Sequence, residues 1–354
     1  MQVGKLSGQT ESLMNLQLFR LDSHSEQEKM SQVTLRDIYK AAGRLRKRVI
    51  RTPLLRFEAL SGRTGKEIYI KPEFLQKTGS FKVRGAFNSL GSLSREQKAQ
   101  GVIAFSTGNH GRAVALVARE MGIKALVCCS KRVPDFRVRA MRDLGAEVRQ
   151  VGQSQDQAYE HAVRIQKEQG LTMIAPFDDS LVIAGQGTIG LEILEDLPGL
   201  DTVLVPLSGG GLISGIALAL KSADPKIKVI GVSMESAPAM QKSLEAGKPV
   251  AIPEKDSLAD ALLGGIGLDN QYTFDLCRRF VDQTLLVSEE QIAKGIYYAL
   301  TRQNLVLEGS GAVGISALLD SLPPDLGKKV VVVASGGNLD NGILRRLLAG
   351  APLI

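Results

Sequence analysis

Apolar and polar positions fall into a repeating order after a polar opening. Residues 1–32 are rich in Gln, Ser and Glu and read as a polar N-terminal arm. Thr34 then opens a helical pattern that runs to about Arg48, with Asp37 three residues on forming a capping pair, and Arg51-Thr52-Pro53 breaks it. Glu67–Lys71 alternates as a short strand. From Val102 the rhythm becomes regular. Strands are predicted at Val102–Phe105, Ala125–Cys128, Val148–Val151 and Thr172–Ile174. Helices fall between them at Asn109–Met121, about Val138–Leu144 and about Asp156–Gln169. That βαβαβαβ order implies parallel strands with right-handed crossovers.

The second half repeats the theme with longer elements. Val203–Val205 leads into a glycine loop and a helix, Val229–Val232 is a further strand, and Lys329–Ala334 is the last. Ser288 and Gln291 form a capping box for the helix that follows. The fold class read from this pattern is α/β, with two parallel open-sheet α/β domains, the smaller inserted in the larger. The expected boundaries are an arm at 1–32, a large domain at 33–98 plus 177–354, and a small domain at 99–176. A cleft between two such domains is the default ligand site.

Composition narrows the function. At 354 residues the chain is long enough for two domains and a sizeable core. The net charge of +7 is concentrated in part in Arg44-Leu-Arg46-Lys47-Arg48 through Arg51, which at helical spacing reads as a solvated face. With no Trp and 5% aromatic residues, a base-stacking nucleic-acid surface is not expected. Cys128, Cys129 and Cys277 make no metal-ligand pattern, and the adjacent pair reads as strand packing. Neither a secretory h-region nor a stretch approaching the ~20 apolar residues of a membrane helix is visible, so a cytoplasmic protein is expected.

Four segments carry candidate chemistry, each read as standing at the C-terminal end of an apolar strand, where open parallel sheets bind ligands. In Thr78-Gly-Ser-Phe81-Lys82-Val83-Arg84-Gly-Ala, apolar neighbours can desolvate the Lys82 ammonium and make it a nucleophile or base, although a lysine at a helix start is more often structural. Ser106-Thr107-Gly108-Asn109-His110-Gly111 stands at a helix N-terminus, where free N–H groups favour an anion such as a carboxylate; a plain N-cap is the competing reading. Ser208-Gly209-Gly210-Gly211-Leu212 can close its backbone around a phosphate. It lacks the Gly-Lys-Ser/Thr of a Walker loop and the spacing of a dinucleotide fingerprint. Ala334-Ser335-Gly-Gly-Asn338 offers one neutral hydroxyl.

In this order, the four segments resemble the fold type II, or tryptophan synthase β-like, class of pyridoxal-phosphate (PLP) enzymes across about residues 34–348. Within it they resemble the threonine/serine dehydratase and serine racemase branch. Ser106–Ala113, Ala184–Glu192 and Leu263–Asn270 look most similar to the hydroxyectoine-utilisation dehydratases. The resemblance implies that Lys82 holds pyridoxal 5'-phosphate as a Schiff base and later takes the substrate's α-proton, with Thr107 a second catalytic residue. Phe81, Asn109 and Glu308 would line the cofactor, Ser208, Gly209, Gly210, Gly211 and Leu212 would cradle its phosphate, and Ser335 would face its pyridine nitrogen. Ser106, Thr107, Gly108, Asn109 and His110 would surround the substrate carboxylate; read without the resemblance, His110 is a structural residue.

A hydroxyl at Ser335 leaves the ring neutral and a weaker electron sink, which favours expulsion of a β-leaving group. The implied activity is therefore β-elimination from a small β-hydroxy-α-amino acid to a keto acid and ammonia. The implied assembly is a homodimer. Amino-acid racemisation, β-replacement and a non-catalytic PLP-binding protein are the alternatives; for racemisation, Thr107 stands where racemases carry a serine. Ser233 and Ala239 replace acidic side chains that hold a divalent cation in some relatives, so no metal is expected, although Glu235 is close. Gly264-Gly265 stands where some relatives place a pair of serines near the substrate, and no C-terminal regulatory domain is expected.

Overall fold

The computed structural model describes residues 33–106, 108–320 and 322–350. The proposed arm at 1–32 and the candidate Thr107 lie outside the described residues. The strands are β1 Leu55–Arg56, β2 Glu67–Pro72, β3 Val102–Phe105, β4 Ala125–Cys129, β5 Glu147–Gln150, β6 Thr172–Met173, β7 Thr202–Pro206, β8 Lys228–Met234, β9 Gln283–Val287 and β10 Lys329–Ala334. They form a six-stranded sheet in the order β1-β2-β10-β7-β8-β9 and a four-stranded sheet in the order β5-β4-β3-β6. The chain leaves the larger sheet after β2, builds the smaller one from β3 to β6, and returns at β7.

Every pairing in the smaller sheet is parallel. In the larger sheet one pairing departs from the expected parallel order: β1 runs antiparallel to β2, pairing Leu55 with Ile70. A two-residue strand that turns straight back through the short helix Glu58–Thr64 has no room for a crossover. The remaining larger-sheet strands are parallel, and β10, last in sequence, lies between β2 and β7. Helices that start directly from strand ends in this arrangement point their N-termini at one edge of each sheet.

Local chemistry accounts for several boundaries. The helix Leu35–Leu45 starts on the Thr34–Asp37 capping box and shows Ile38, Ala41 and Leu45 to the interior. Ser288 and Gln291 cap the helix Glu289–Gln303 in the same way. The helix Ser180–Asp196 is apolar and buried over most of its length because it packs on three others, Leu35–Leu45, Lys82–Gly91 and Gly211–Ala223. A Cβ on its Gly185 would stand 2.8 Å from the Arg84 carbonyl oxygen, and one on Gly215 of the opposite neighbour would stand 2.6 Å from the Gly187 nitrogen. These backbones touch, which only glycine permits.

The three cysteines are free and buried, with Cys128 and Cys129 packed inside β4 as the pattern implies. No helix among the described residues is long and apolar enough to cross a membrane.

Candidate functional site

Lys82 sits at the start of a helix because the chain before it is pinned to β10. Ser80 bridges to Gly336, and the Phe81 N–H donates to the Ser335 carbonyl at 3.0 Å. The helix Lys82–Gly91 begins at once. The lysine Nζ donates to the Pro176 carbonyl at 2.6 Å and lies 5.2 Å from the centre of the Phe81 ring. Burial without a nearby carboxylate lowers its pKa from 10.5 to about 8.

The first turn of this helix is held from beneath by a buried charge network that the sequence reading did not anticipate. The Arg84 guanidinium, with no exposed surface, forks onto Glu73 at 2.8 Å from both Nε and Nη2. It also forks onto Glu192 at 2.6 and 2.9 Å. Lys71, equally buried, pairs with Glu192 at 2.7 Å and donates to the Thr52 carbonyl at 2.7 Å. Planar bidentate contacts of this kind fix orientation as well as charge.

Lys82 faces a cavity of about 390 Å³. Of the residues singled out from sequence, Phe81, Ser106, Asn109, His110, Ser208, Gly209, Gly210, Gly211, Leu212, Glu308 and Ser335 line it with Lys82. Gly108 is not among the lining residues; its backbone is extended, and a Cβ there would stand 3.3 Å from the Arg137 side chain.

The 106–110 turn follows β3. The Ser106 hydroxyl accepts from the Gly108 and Gly111 N–H groups at 3.1 and 2.9 Å, shaping the turn while keeping its own hydrogen free to donate. His110 is buried, and its Nε2–H donates to the Ile174 carbonyl at 2.8 Å. Burial, then the Lys82 charge, pushes its pKa down to about 3, so the ring is neutral. This commitment fits a structural histidine in the wall better than a carboxylate ligand.

The Asn109 side chain donates to Glu308 Oε1 at 2.6 Å and accepts from Asn338 at 2.6 Å. Glu308 is buried, and burial followed by the charge of Asp260 raises its pKa to about 7, so it carries a proton for much of the time at neutral pH. Ser335 directly follows β10, buried, with its hydroxyl 3.4 Å from the Ser310 carbonyl oxygen, a long contact that leaves it available.

The glycine loop follows β7 and opens the helix Gly211–Ala223. Gly210 has φ +89°, and a Cβ there would also stand 2.9 Å from the Thr273 side chain. The first N–H groups of this helix have no intrahelical partner, and no side chain from 209 to 211 covers them. Free donors, a helix dipole and a neutral Ser208 make a fitting seat for a phosphate. An amine with a lowered pKa stands in the same cavity, so the donor set fits PLP at both ends, aldehyde and phosphate.

Gly264 and Gly265, which the resemblance set near the substrate, also line the cavity; lining residues not found from sequence include Ser310 and the segment Pro176-Phe177-Asp178. The last follows β6 directly, so the strand-end rule that located the other segments could have found it. Ser233 is buried in β8 and Ala239 opens the helix Ala239–Ala246. Among the described residues no group of three or more His, Cys, Asp or Glu could hold a metal ion.

Residues 45–336 match the family model of pyridoxal-phosphate dependent enzymes. A putative threonine dehydratase of Sinorhizobium fredii is 47% identical over 321 residues, covering 91% of this chain and 97% of the relative. An L-threonine ammonia-lyase of Thermotoga maritima is 46% identical over 89% of this chain and 78% of its own length. Among solved structures, maize serine racemase superposes with a TM-score of 0.85 at 33% identity over 90% of this chain and 97% of its own. A T.th. threonine deaminase does so with a TM-score of 0.79 at 39% identity over 87% and 99%. The strand order, the lysine cavity and these likenesses agree: the chain belongs to the pyridoxal-phosphate dependent enzymes, as a fold type II member of threonine dehydratase and serine racemase type.

Proposed function

We propose that this enzyme removes water and then ammonia from a small β-hydroxy-α-amino acid of the threonine or serine type, releasing a keto acid. The observation that carries the reading is the pairing, in one cavity, of a lysine whose pKa is lowered to about 8 with the neutral hydroxyl of Ser335. The names of the relatives, threonine dehydratase and threonine ammonia-lyase, support it.

Pyridoxal phosphate, when bound, supplies the electron sink for the bond broken at the substrate's Cα. The residues of the chain supply the rest. Lys82 would hold the cofactor, and its amine would take the Cα proton. The Gly209–Leu212 loop anchors the phosphate through main-chain N–H groups. The Ser106 hydroxyl and the helix N-terminus at Asn109 would orient the carboxylate, and Thr107 is the second proposed catalytic residue. Asn109, held by hydrogen bonds to Glu308 and Asn338, would line the cofactor. Ser335 offers the ring nitrogen a hydrogen bond without a charge, which favours elimination over a long-lived negative charge at Cα.

Within this class a hydroxyectoine-derived amino acid is the other substrate we propose, on the resemblance of the segments at 106–113, 184–192 and 263–270, and we propose a cytoplasmic homodimer. Likeness to maize serine racemase makes racemisation the second reading. One assay separates them: keto-acid formation and solvent-deuterium incorporation, measured with serine, threonine, 3-hydroxyaspartate and hydroxyectoine-derived amino acids. Keto acid from at least one is expected. Racemised, deuterated amino acid without keto acid from any of them would refute the lyase reading.

A further inference from the structure

The segment Pro176-Phe177-Asp178 runs from β6 into the helix Ser180–Asp196, and its three residues touch three parts of the site. The Pro176 carbonyl accepts from Lys82 Nζ at 2.6 Å. Phe177 lies on the glycine loop: a Cβ on Gly209 would stand 2.5 Å from its ring, and one on Gly211 would stand 2.8 Å from its Cα. The Asp178 carboxylate accepts three consecutive main-chain N–H groups, from Gln271 at 2.7 Å and from Tyr272 and Thr273 at 2.9 Å each. Thr273 opens the helix Thr273–Phe280, and its side chain forms the wall behind Gly210, 2.9 Å from where a Cβ would be. The loop is thus gripped from one side by Phe177 and from the other by a residue that Asp178 holds in place.

We propose that Asp178 is a positioning residue for the cofactor phosphate. By holding Thr273 against Gly210 it fixes the direction of the loop N–H groups that receive the phosphate. The inference rests on the reading of 208–212 as the phosphate cradle. Three charge-assisted hydrogen bonds onto one carboxylate are a strong constraint on a loop that glycine leaves otherwise free. If this is their role, loss of the carboxylate is felt by the phosphate end of the cofactor and not by the aldehyde end.

The test compares pyridoxal phosphate with pyridoxal, which lacks the phosphate, by equilibrium dialysis against the wild-type protein, Asp178→Asn and Asp178→Ala. Asp178→Asn is expected to weaken pyridoxal phosphate about tenfold, equivalent to ~1.4 kcal/mol, and Asp178→Ala further, while pyridoxal binding stays within about twofold. Equal losses for both ligands, or no loss for either, would overturn the proposal, because Asp178 would then be plain scaffold or idle. Failure of the near-isosteric Asp178→Asn to fold would do the same. A wild-type protein that binds both ligands equally tightly would overturn the cradle reading itself, and that result is visible without any variant.

Discussion

The lowered pKa of Lys82 sets how fast and at what pH the protein captures its cofactor. Only the neutral amine attacks an aldehyde, and the pKa falls from 10.5 to about 8 on burial. At pH 7 the neutral fraction is therefore about one tenth, against roughly one in three thousand for an ordinary lysine, a gain of about 300-fold. The assay is stopped-flow mixing of cofactor-free protein with pyridoxal phosphate, following the visible absorbance of the lysine-bound form. The rate should rise about tenfold per pH unit up to pH ~8 and then level off. Lys82→Ala should show neither that absorbance nor any keto-acid formation. A rate that keeps climbing to pH ~10, or a lysine-bound form in Lys82→Ala, would refute the reasoning. The same burial has a stability consequence. Between the folded pKa of about 8 and the unfolded value near 10.5, the unfolded chain binds the extra proton. Cofactor-free protein should therefore gain stability as pH rises through that window and carry the full cost of the buried charge below it.

Four further outcomes follow from the site. Arg84→Met leaves Glu73 buried without its guanidinium partner, and urea denaturation should show a loss of about 3–5 kcal/mol. Ser335→Ala should slow keto-acid formation by about tenfold, through loss of a hydrogen bond worth ~1.4 kcal/mol. Ser335→Asp should be slower still, with residual activity shifted toward deuterium exchange at Cα; equal elimination rates without extra exchange would contradict the neutral-ring argument. Activity should survive exhaustive chelation, and loss in EDTA restored by magnesium or calcium would reveal a cation site built from other groups.

Much of this protein is set by interactions only a few residues long. Hydrophobic period and turn chemistry are local, so Val102–Phe105, Asn109–Met121 and Lys329–Ala334 have the same limits in the structure as in the sequence pattern, and the Thr34–Asp37 and Ser288–Gln291 caps form as their spacing demands. The segments around Lys82, Asn109, Gly210 and Ser335 were legible for the same reason, since strand ends and helix starts mark where a parallel sheet receives ligands. What was not legible depends on partners far apart in the chain. The strand Gln283–Val287 is half-buried at an edge and shows no clean alternation, and the helix Ser180–Asp196 is buried on nearly every side, which erases its 3.6-residue period. The position of β10 between β2 and β7 is a matter of packing that no strand carries in its own residues. The chemistry at the site divides in the same way. Residue types name the lysine and the carboxylates. Only the tertiary structure desolvates Lys82, brings Asp260 near Glu308, encloses Arg84 between Glu73 and Glu192, and sets Asp178 under the main chain of 271–273. Burial and long-range Coulomb interactions are properties of the assembled surroundings, and they decide what an ionisable side chain can do.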